Sequence, residues 1–488
     1  MKSSAAVLSI LSTLLFSRVA AGADPAANAE PRPESSPTTS RWQLKLYGAL
    51  ELDVMRDSTQ SFSDIPNNNP LLRSDGSLPA YLPLGTQLPE GPTYGSTHPR
   101  YQATARNTRF GLRVSPPEVA GIMTTGVLEV DFIGNQPGSP PQLSENSFFG
   151  SATPRIKQAY LKFESDIGEV LFGQYYGLFG WQPLFFPATD SFLGIPNEIF
   201  GRMPQVRIGT TLKMDVIDVQ IAAAALRPAQ RDSGLPDLQA GLRLSVNGWK
   251  GAHGMGSGQP IVGPLSIGVS GVTRWFKVAA FSNNAGDPTT ATEVAQANGY
   301  GVSLDALIPV IPAKSTNDKG NALTLTGSFV TGAGIADLFT GGLTGGVHFP
   351  LPEGPGGPNT GTYVGNIDPG LVQYTLVNTA DGQRGILRVL KWQAYMVGVQ
   401  YFLPPSGRLS LAANFSASES PNIAQPIEEG GDPSRTFWKA LYYDVNLFVD
   451  LTAATRMALS YQHIGQTFVA NNGKEMNERF ELTGLLFF

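Results

Sequence analysis

The sequence predicts an all-β fold: a transmembrane antiparallel barrel of about 16 strands, with long loops at one end and short turns at the other. Three observations predict it. The last thirteen residues, Met476 to Phe488, set Phe480, Leu482, Gly484, Leu486 and Phe488 on one face of an extended strand. Arg479, Glu481 and Thr483, with Leu485 and Phe487, fall on the other, because side chains alternate along a strand with period two. Second, the segments between such strands alternate between long and short. Third, the chain carries 55 Gly and only 15% charged residues, yet beyond its N-terminus no apolar run reaches the ~18 residues of a spanning helix.

Residues 1–23 read as an export signal: a positive start at Lys2, an apolar run from Ala5 to Phe16, and small residues at Ala21-Gly22-Ala23. No Cys follows, which excludes a lipid-anchored cysteine, a disulfide framework and a thiolate metal site. Cleavage after Ala23 removes Lys2 and Arg18 from the 34 basic residues, leaving 32 against 39 acidic ones and a net charge of −7. An acidic chain without a basic, aromatic-lined groove is not adapted to nucleic acid. Residues 24–41 (Pro, Ala, Ser and Glu, without apolar periodicity) form a flexible periplasmic lead-in, and residues 42–488 form the barrel as one unit.

The first strand is Gln43 to Asp53, with Leu44, Leu46, Leu50 and Leu52 opposite Lys45, Tyr47, Glu51 and Asp53. A long loop runs from Val54 to Arg100, rich in Asn, Pro, Gly and Ser. Gln102 to Val114 and Ile122 to Phe132 follow, joined by a turn at Ser115-Pro116-Pro117. Gly134 to Pro154 is the second long loop, Asp166 to Gly168 a short turn, and Leu178 to Pro204 the third long loop. Strands are predicted over Val170 to Gly177, Gln205 to Met214, Val216 to Leu226, Leu238 to Val246, Leu265 to Phe281, Tyr300 to Ile308 and Ala322 to Thr331. The periplasmic segments Asn247 to Gly263 and Pro309 to Asn321 are long for turns. Gly332 to Leu387 reads mostly as one external loop; its Gly runs match neither a phosphate-binding loop nor a dinucleotide fingerprint. Trp392 to Phe402, Arg408 to Ser416, Phe437 to Val449, Met457 to Gln466 and Asn477 to Phe488 close the series.

Four His residues (His98, His253, His348, His463) have no partner at metal-binding spacing, so no metal is predicted. Only His463 lies on a predicted strand, on the lipid-side face of Met457, Leu459 and Tyr461, and Ser460 and Asn446 nearby do not amount to a triad. Charges opposite the apolar faces are the stronger signal. Arg109 and Arg113 share one face, Glu129 and Asp131 the corresponding face of the next strand; Arg207 and Lys213, Arg243 and Arg479 mark others. An Arg or Lys facing hydrocarbon near the bilayer centre costs ~2–4 kcal/mol, so these faces are expected to see water. Separate basic and acidic walls would set up a transverse field that attracts anions; alternatively the charges pair and brace the wall.

The blocks TARNTRFGLRV (Thr104 to Val114), GVLEVDF (Gly126 to Phe132), PRIKQAYLKFE and EVLFGQYYGLF (Pro154 to Phe179), RMPQVRIG (Arg202 to Gly209) and the terminal Phe488 resemble trimeric bacterial outer-membrane porins, and within them the DcaP-like porins. The resemblance implies an outer-membrane homotrimer in contact with lipid, with no cofactor and no catalytic activity, passing small hydrophilic solutes with a preference for anionic or dicarboxylate ones. It further implies that the third loop, with Phe185, Phe186, Asp190, Glu198 and Arg202, folds into the barrel and narrows it. Arg155, Lys157 and Arg202 then join the pore-lining basic set, and Asp190 and Glu198 the acidic one. The family's coiled-coil region before the barrel has no counterpart in residues 24–41, which are short and Pro-rich. The competing expectation is an outer-membrane enzyme or adhesin barrel with a closed lumen.

Overall fold

A computed structural model of the chain describes residues 41–59, 97–134, 153–180, 186–188, 194–229, 233–254, 261–280, 293–340, 372–379, 382–424, 437–469 and 474–488. The export signal and nearly all of the lead-in lie outside these residues, as do His348, Phe185 and Asp190. The strands are β1 (Gln43–Asp57), β2 (Arg100–Thr104), β3 (Arg109–Ser115), β4 (Met123–Asp131), β5 (Arg155–Ser165) and β6 (Gly168–Tyr176). Then come β7 (Arg202–Lys213), β8 (Ile217–Leu226), β9 (Asp237–His253), β10 (Ile261–Ala280), β11 (Glu293–Ile311) and β12 (Leu323–Ala333). β13 (Val372–Thr379) and β14 (Gly382–Val389) precede β15 (Lys391–Phe402), β16 (Leu409–Glu419), β17 (Phe437–Asp450), β18 (Thr455–Phe468) and β19 (Lys474–Phe487).

Seventeen of these join in one antiparallel sheet that closes where β1 meets β19, with Leu50 opposite Leu486 and Asp57 opposite Arg479. β2 and β3 are two halves of one wall strand, both paired with β1. Between them residues 105–108 oppose only residues 50–52, a bulge of one extra residue. The Thr108 hydroxyl closes the gap by accepting from the Glu51 N–H (3.1 Å) and donating to its carbonyl (3.2 Å). Counting β2 and β3 as one gives a closed sixteen-strand barrel, as expected. Closure leaves no unpaired edge, which is what a bilayer without water requires of a sheet.

The period-two pattern sorts the two faces. Leu52, Leu128, Ile156, Phe172, Ile267, Leu304, Val397, Val445, Leu459 and Phe480 are exposed around the outside, while Asp53, Arg109, Asp131, Arg207, Arg243, Asp444 and Arg479 are buried on the inside. Phe488 extends the ladder by exchanging hydrogen bonds with Gly48 (3.0 and 3.2 Å). Its ring lies where a Gly48 side chain would be, and packs on Phe110 at 5.8 Å.

Two expectations are corrected. Residues 332–387, read as mostly one external loop, do join wall strands β12 and β15, but they include β13 and most of β14, which form a separate two-stranded sheet; residues 341–371 lie outside the described residues. Residues 247–263 are not a plain periplasmic segment either. β9 and β10 continue through them as a ladder from Lys250 opposite Pro264 to His253 opposite Ile261.

Candidate functional site

The inward faces of β3, β4 and β5 carry the predicted charges at register positions that put opposite signs side by side. Arg109 lies opposite Asp131, and Arg155 opposite the same residue from β5. Arg155 grips the Asp131 carboxylate with two donors, at 3.0 and 2.6 Å. Lys157 reaches Glu129 at 3.0 Å, and Tyr47, on β1 and one strand further across β3, donates to the second Glu129 oxygen at 2.9 Å. Arg207 lies 3.7 Å from Glu169, and Arg243 donates to Gln220. Arg479 donates twice to Asp57, at 2.7 and 2.9 Å. The separate basic and acidic walls of the sequence reading are therefore absent: bases and acids interleave on neighbouring strands and brace one another. Lys213 does not join them, being exposed at the short-turn end.

Arg202 and Arg113 are among the arginines with a buried nitrogen that has no acceptor in the described residues. Arg202, at the start of β7, has its guanidinium over the rings of Tyr176 (5.8 Å) and Phe200 (5.9 Å), and its buried Nη1 has no acceptor among the described residues. The buried Nε of Arg113 also has none.

The third loop joins β6 and β7, the fifth and sixth wall positions when β2 and β3 count as one, but its described residues bond to β16 and β17, the thirteenth and fourteenth. Eight positions in sixteen is half the circumference, so the loop traverses the interior. Near its start the Leu178 and Phe179 N–H groups donate to Gln239 (2.6 and 2.9 Å) and Gly180 N–H to Ser270 (2.8 Å). On the far wall Asn414 donates to the Pro187 carbonyl (2.8 Å), Ser416 to that of Pro196 (2.7 Å) and Ser418 to Asn197 (2.7 Å). Phe186, fully buried, packs with Met396, Tyr442 and Ile464. An apolar, Pro-rich stretch with few charges is compatible with this path, because its free carbonyls meet wall hydroxyls and amides.

A second inward segment, residues 334–340, was not foreseen. Phe200 N–H donates to Leu338 (2.9 Å) and Thr340 N–H to Glu198 (2.8 Å), so the two segments pair as a short antiparallel bridge around Ile199 and Phe339. Arg274 on β10, fully buried, anchors it: Nε donates to Asp237 (2.8 Å), Nη1 to the Gly334 carbonyl (2.8 Å), and both Nη atoms to Asp337 (2.5 and 2.7 Å). Arg274 shares the inward parity of Ser270 and Val272, and that parity was the only available sequence signal.

Glu198 sits on the third loop rather than on a wall strand. Its burial pushes the carboxyl well above the usual range; the Ile195 N–H, at 3.0 Å, works against that and the nearby Asp305 adds to it. A carboxyl whose folded pKa is raised holds its stabilising contribution below its unfolded pKa and loses it as pH rises through the folded value. The loop is therefore expected to be held best in acid and to loosen as pH rises. Limited proteolysis at stepped pH checks this, with Glu198→Gln expected to flatten the dependence; an equally steep profile in that variant would assign it elsewhere.

No triad assembles on β17 and β18. Asn446 pairs directly with Ser460 and both are buried inside, while His463 falls on the opposite parity and stacks on Tyr443 at 4.6 Å. His98 is exposed and His253 buried, and among the described residues no group of three or more His, Cys, Asp or Glu could hold a metal.

No family model and no curated protein matches the chain. Solved structures do. The outer-membrane channel DcaP of Acinetobacter baumannii is 15% identical with a TM-score of 0.57, covering 92% of this chain and 99% of its own. The fold is that of this outer-membrane channel. An anion-selective porin from Comamonas acidovorans (11% identical, TM-score 0.46, 92% and 100% covered) and OprB of Pseudomonas putida (11%, 0.44, 92% and 94%) are more distant. With its apolar outer face and closed sheet, the chain is a multi-pass β-barrel of the bacterial outer membrane. Its short turns then face the periplasm and its long loops the exterior.

Proposed function

We propose that the protein is a passive diffusion channel for small hydrophilic solutes, works as a homotrimer, and favours anionic solutes, dicarboxylates among them. The observation that carries this reading is a pair of arginines with buried donors left open, Arg202 at the root of the third loop and Arg113 on the wall, on the inside of a closed barrel. An unsatisfied buried guanidinium nitrogen costs free energy that a passing carboxylate offsets, and the planar fork suits that group. The third loop, crossing to β16 and β17, narrows the path so that solutes pass close to Arg202. The paired charges (Arg155 with Asp131, Lys157 with Glu129, Arg207 with Glu169, Arg479 with Asp57), with Arg109 and Arg243 among them, keep the wall polar and rigid.

Planar-bilayer recording tests it. The expected result is stable conductance closing in three steps, with a reversal potential on the anion side under a salt gradient. Arg202→Gln with Arg113→Gln is expected to move that potential toward the cation side. Silence from a folded protein would favour the closed-lumen enzyme or adhesin, and an unmoved potential would remove these arginines from selectivity.

A further inference from the structure

The lower part of the β9–β10 hairpin does not hang beneath the barrel. Asn247, Gly248 and Trp249 have no partners on β10, because Leu265 pairs with Val246 and Pro264 with Lys250. A three-residue excess on one strand bends the ribbon sharply. The bend is pinned at Asn247, whose N–H donates to Val216 (2.9 Å) and whose side chain donates to Asp218 (3.0 Å).

Beyond it the ribbon runs over residues that face the lumen on three successive wall strands. Trp249 donates to the Pro309 carbonyl on β11 (2.6 Å), Thr324 on β12 donates to the Ala252 carbonyl (2.6 Å), and Gly254 N–H donates to Gln400 on β15 (3.0 Å). Ala252 packs with Ala322 and Phe402. Residues 251–254 are all buried, with no alternation, so both faces of this stretch are covered. Gly251 shows how close the approach is: a Cβ there would stand 2.7 Å from both Pro309 and the Thr324 hydroxyl.

We propose that this inward ribbon is a second constriction at the periplasmic mouth, in series with the third loop, and that it limits the size of solute leaving the barrel. The inference rests on the channel reading above. Sheets packed face to face sit ~10 Å apart, so a ribbon lying on the inner wall takes a layer of about that depth from the lumen of a porin-sized barrel. The layer covers β11, β12 and β15, three of the sixteen wall strands, at the end opposite the external loops.

The test uses two variants. In the first, residues 247–264 are replaced by a two-residue Asn-Gly turn. If the two constrictions are comparable resistances in series, removing one raises single-channel conductance up to about twofold and admits larger solutes. The second is Lys250→Cys, in an otherwise cysteine-free chain whose Lys250 is exposed, treated from the periplasmic side with a bulky thiol reagent. Labelling is expected to lower conductance, and it reads the intact fold should the shortened hairpin fail to assemble. A conducting wild type whose conductance is unchanged by labelling, or by truncation in a folded barrel, would overturn the proposal alone. A silent wild type would overturn it together with the channel reading.

Discussion

Replacing Arg274 with Met is expected to free the inward 334–340 segment while leaving the barrel closed. The guanidinium is fully buried and meets the buried Asp237 carboxylate, the Gly334 carbonyl and the partly exposed Asp337 carboxylate. Removing only the cation leaves Asp237 and Asp337 facing each other's charge, and breaking a buried pair in this way costs about 3–5 kcal/mol. That exceeds what a three-residue turn and two backbone bonds to the third loop supply, at ~0.5–1.5 kcal/mol net for each bond. The segment therefore leaves the wall, and the third loop loses the strand partner it has at Phe339. Expected readouts are new protease sensitivity in residues 334–340, higher conductance, and an unchanged heat-dependent gel shift of the barrel. Arg274→Lys should recover only part of the effect, since a point charge cannot fork onto Asp337 while also holding Asp237 and Gly334. Removing the two acids as well (Asp237→Asn, Asp337→Asn) should restore more stability than either acid alone. If Arg274→Met left proteolysis and conductance unchanged, the anchor would lie in the apolar contacts around Leu338 and Phe339 instead.

The contrast between wall and lumen explains what the residues disclosed beforehand. A wall strand declares itself because each alternate residue meets hydrocarbon: Leu44, Leu46, Leu50 and Leu52 could be assigned to one face without any partner, and so could Phe480, Leu482 and Leu486. Pairing across strands depends on register, which one sequence does not carry. Glu129 and Asp131 were correctly placed opposite the lipid face, but that Lys157 and Arg155 reach them from β5 follows from a bulge beside Glu129. Arg274 had the parity of a lumen residue, yet its acceptors lie 37 and 63 positions away, one of them in a stretch that reads as a Gly-rich loop. Residues 247–263 read as a long periplasmic segment; that Asn247, Gly248 and Trp249 form a bulge between two stretches of one ladder depends on the register of β9 with β10, which the sequence does not carry.

The largest loss of stability is expected from Arg479→Met, because Arg479 lies on the seam that closes the sheet. Asp57, fully buried, faces Arg479 directly across β1 and β19 and accepts two of its hydrogen bonds. Gln102 (2.6 Å) and Asn477 (2.8 Å) also donate to it, so β2 and β19 are both tied to β1 through one carboxylate. Without the guanidinium that carboxylate stays buried beside two neutral amides, a loss of about 3–5 kcal/mol. Elsewhere on the wall such a loss would be local; at the seam it loosens the one pairing made between the chain's first and last strands, and opening there exposes two strand edges. The expected outcome is a clearly lower denaturant midpoint in detergent and a gel band that shifts to the unfolded position at lower temperature. Asp57→Asn should cost about as much, since Gln102 and Asn477 donate to different oxygens of Asp57 and a single amide oxygen can serve only one of them, while the buried Arg479 cation loses its counter-charge. In the pair Asp57→Leu with Arg479→Met the charge is gone from both sides, and part of the lost stability should return, as it does when buried ion pairs are replaced whole. A double variant no more stable than Arg479→Met would show that the seam depends on the amide network rather than on the charge pair.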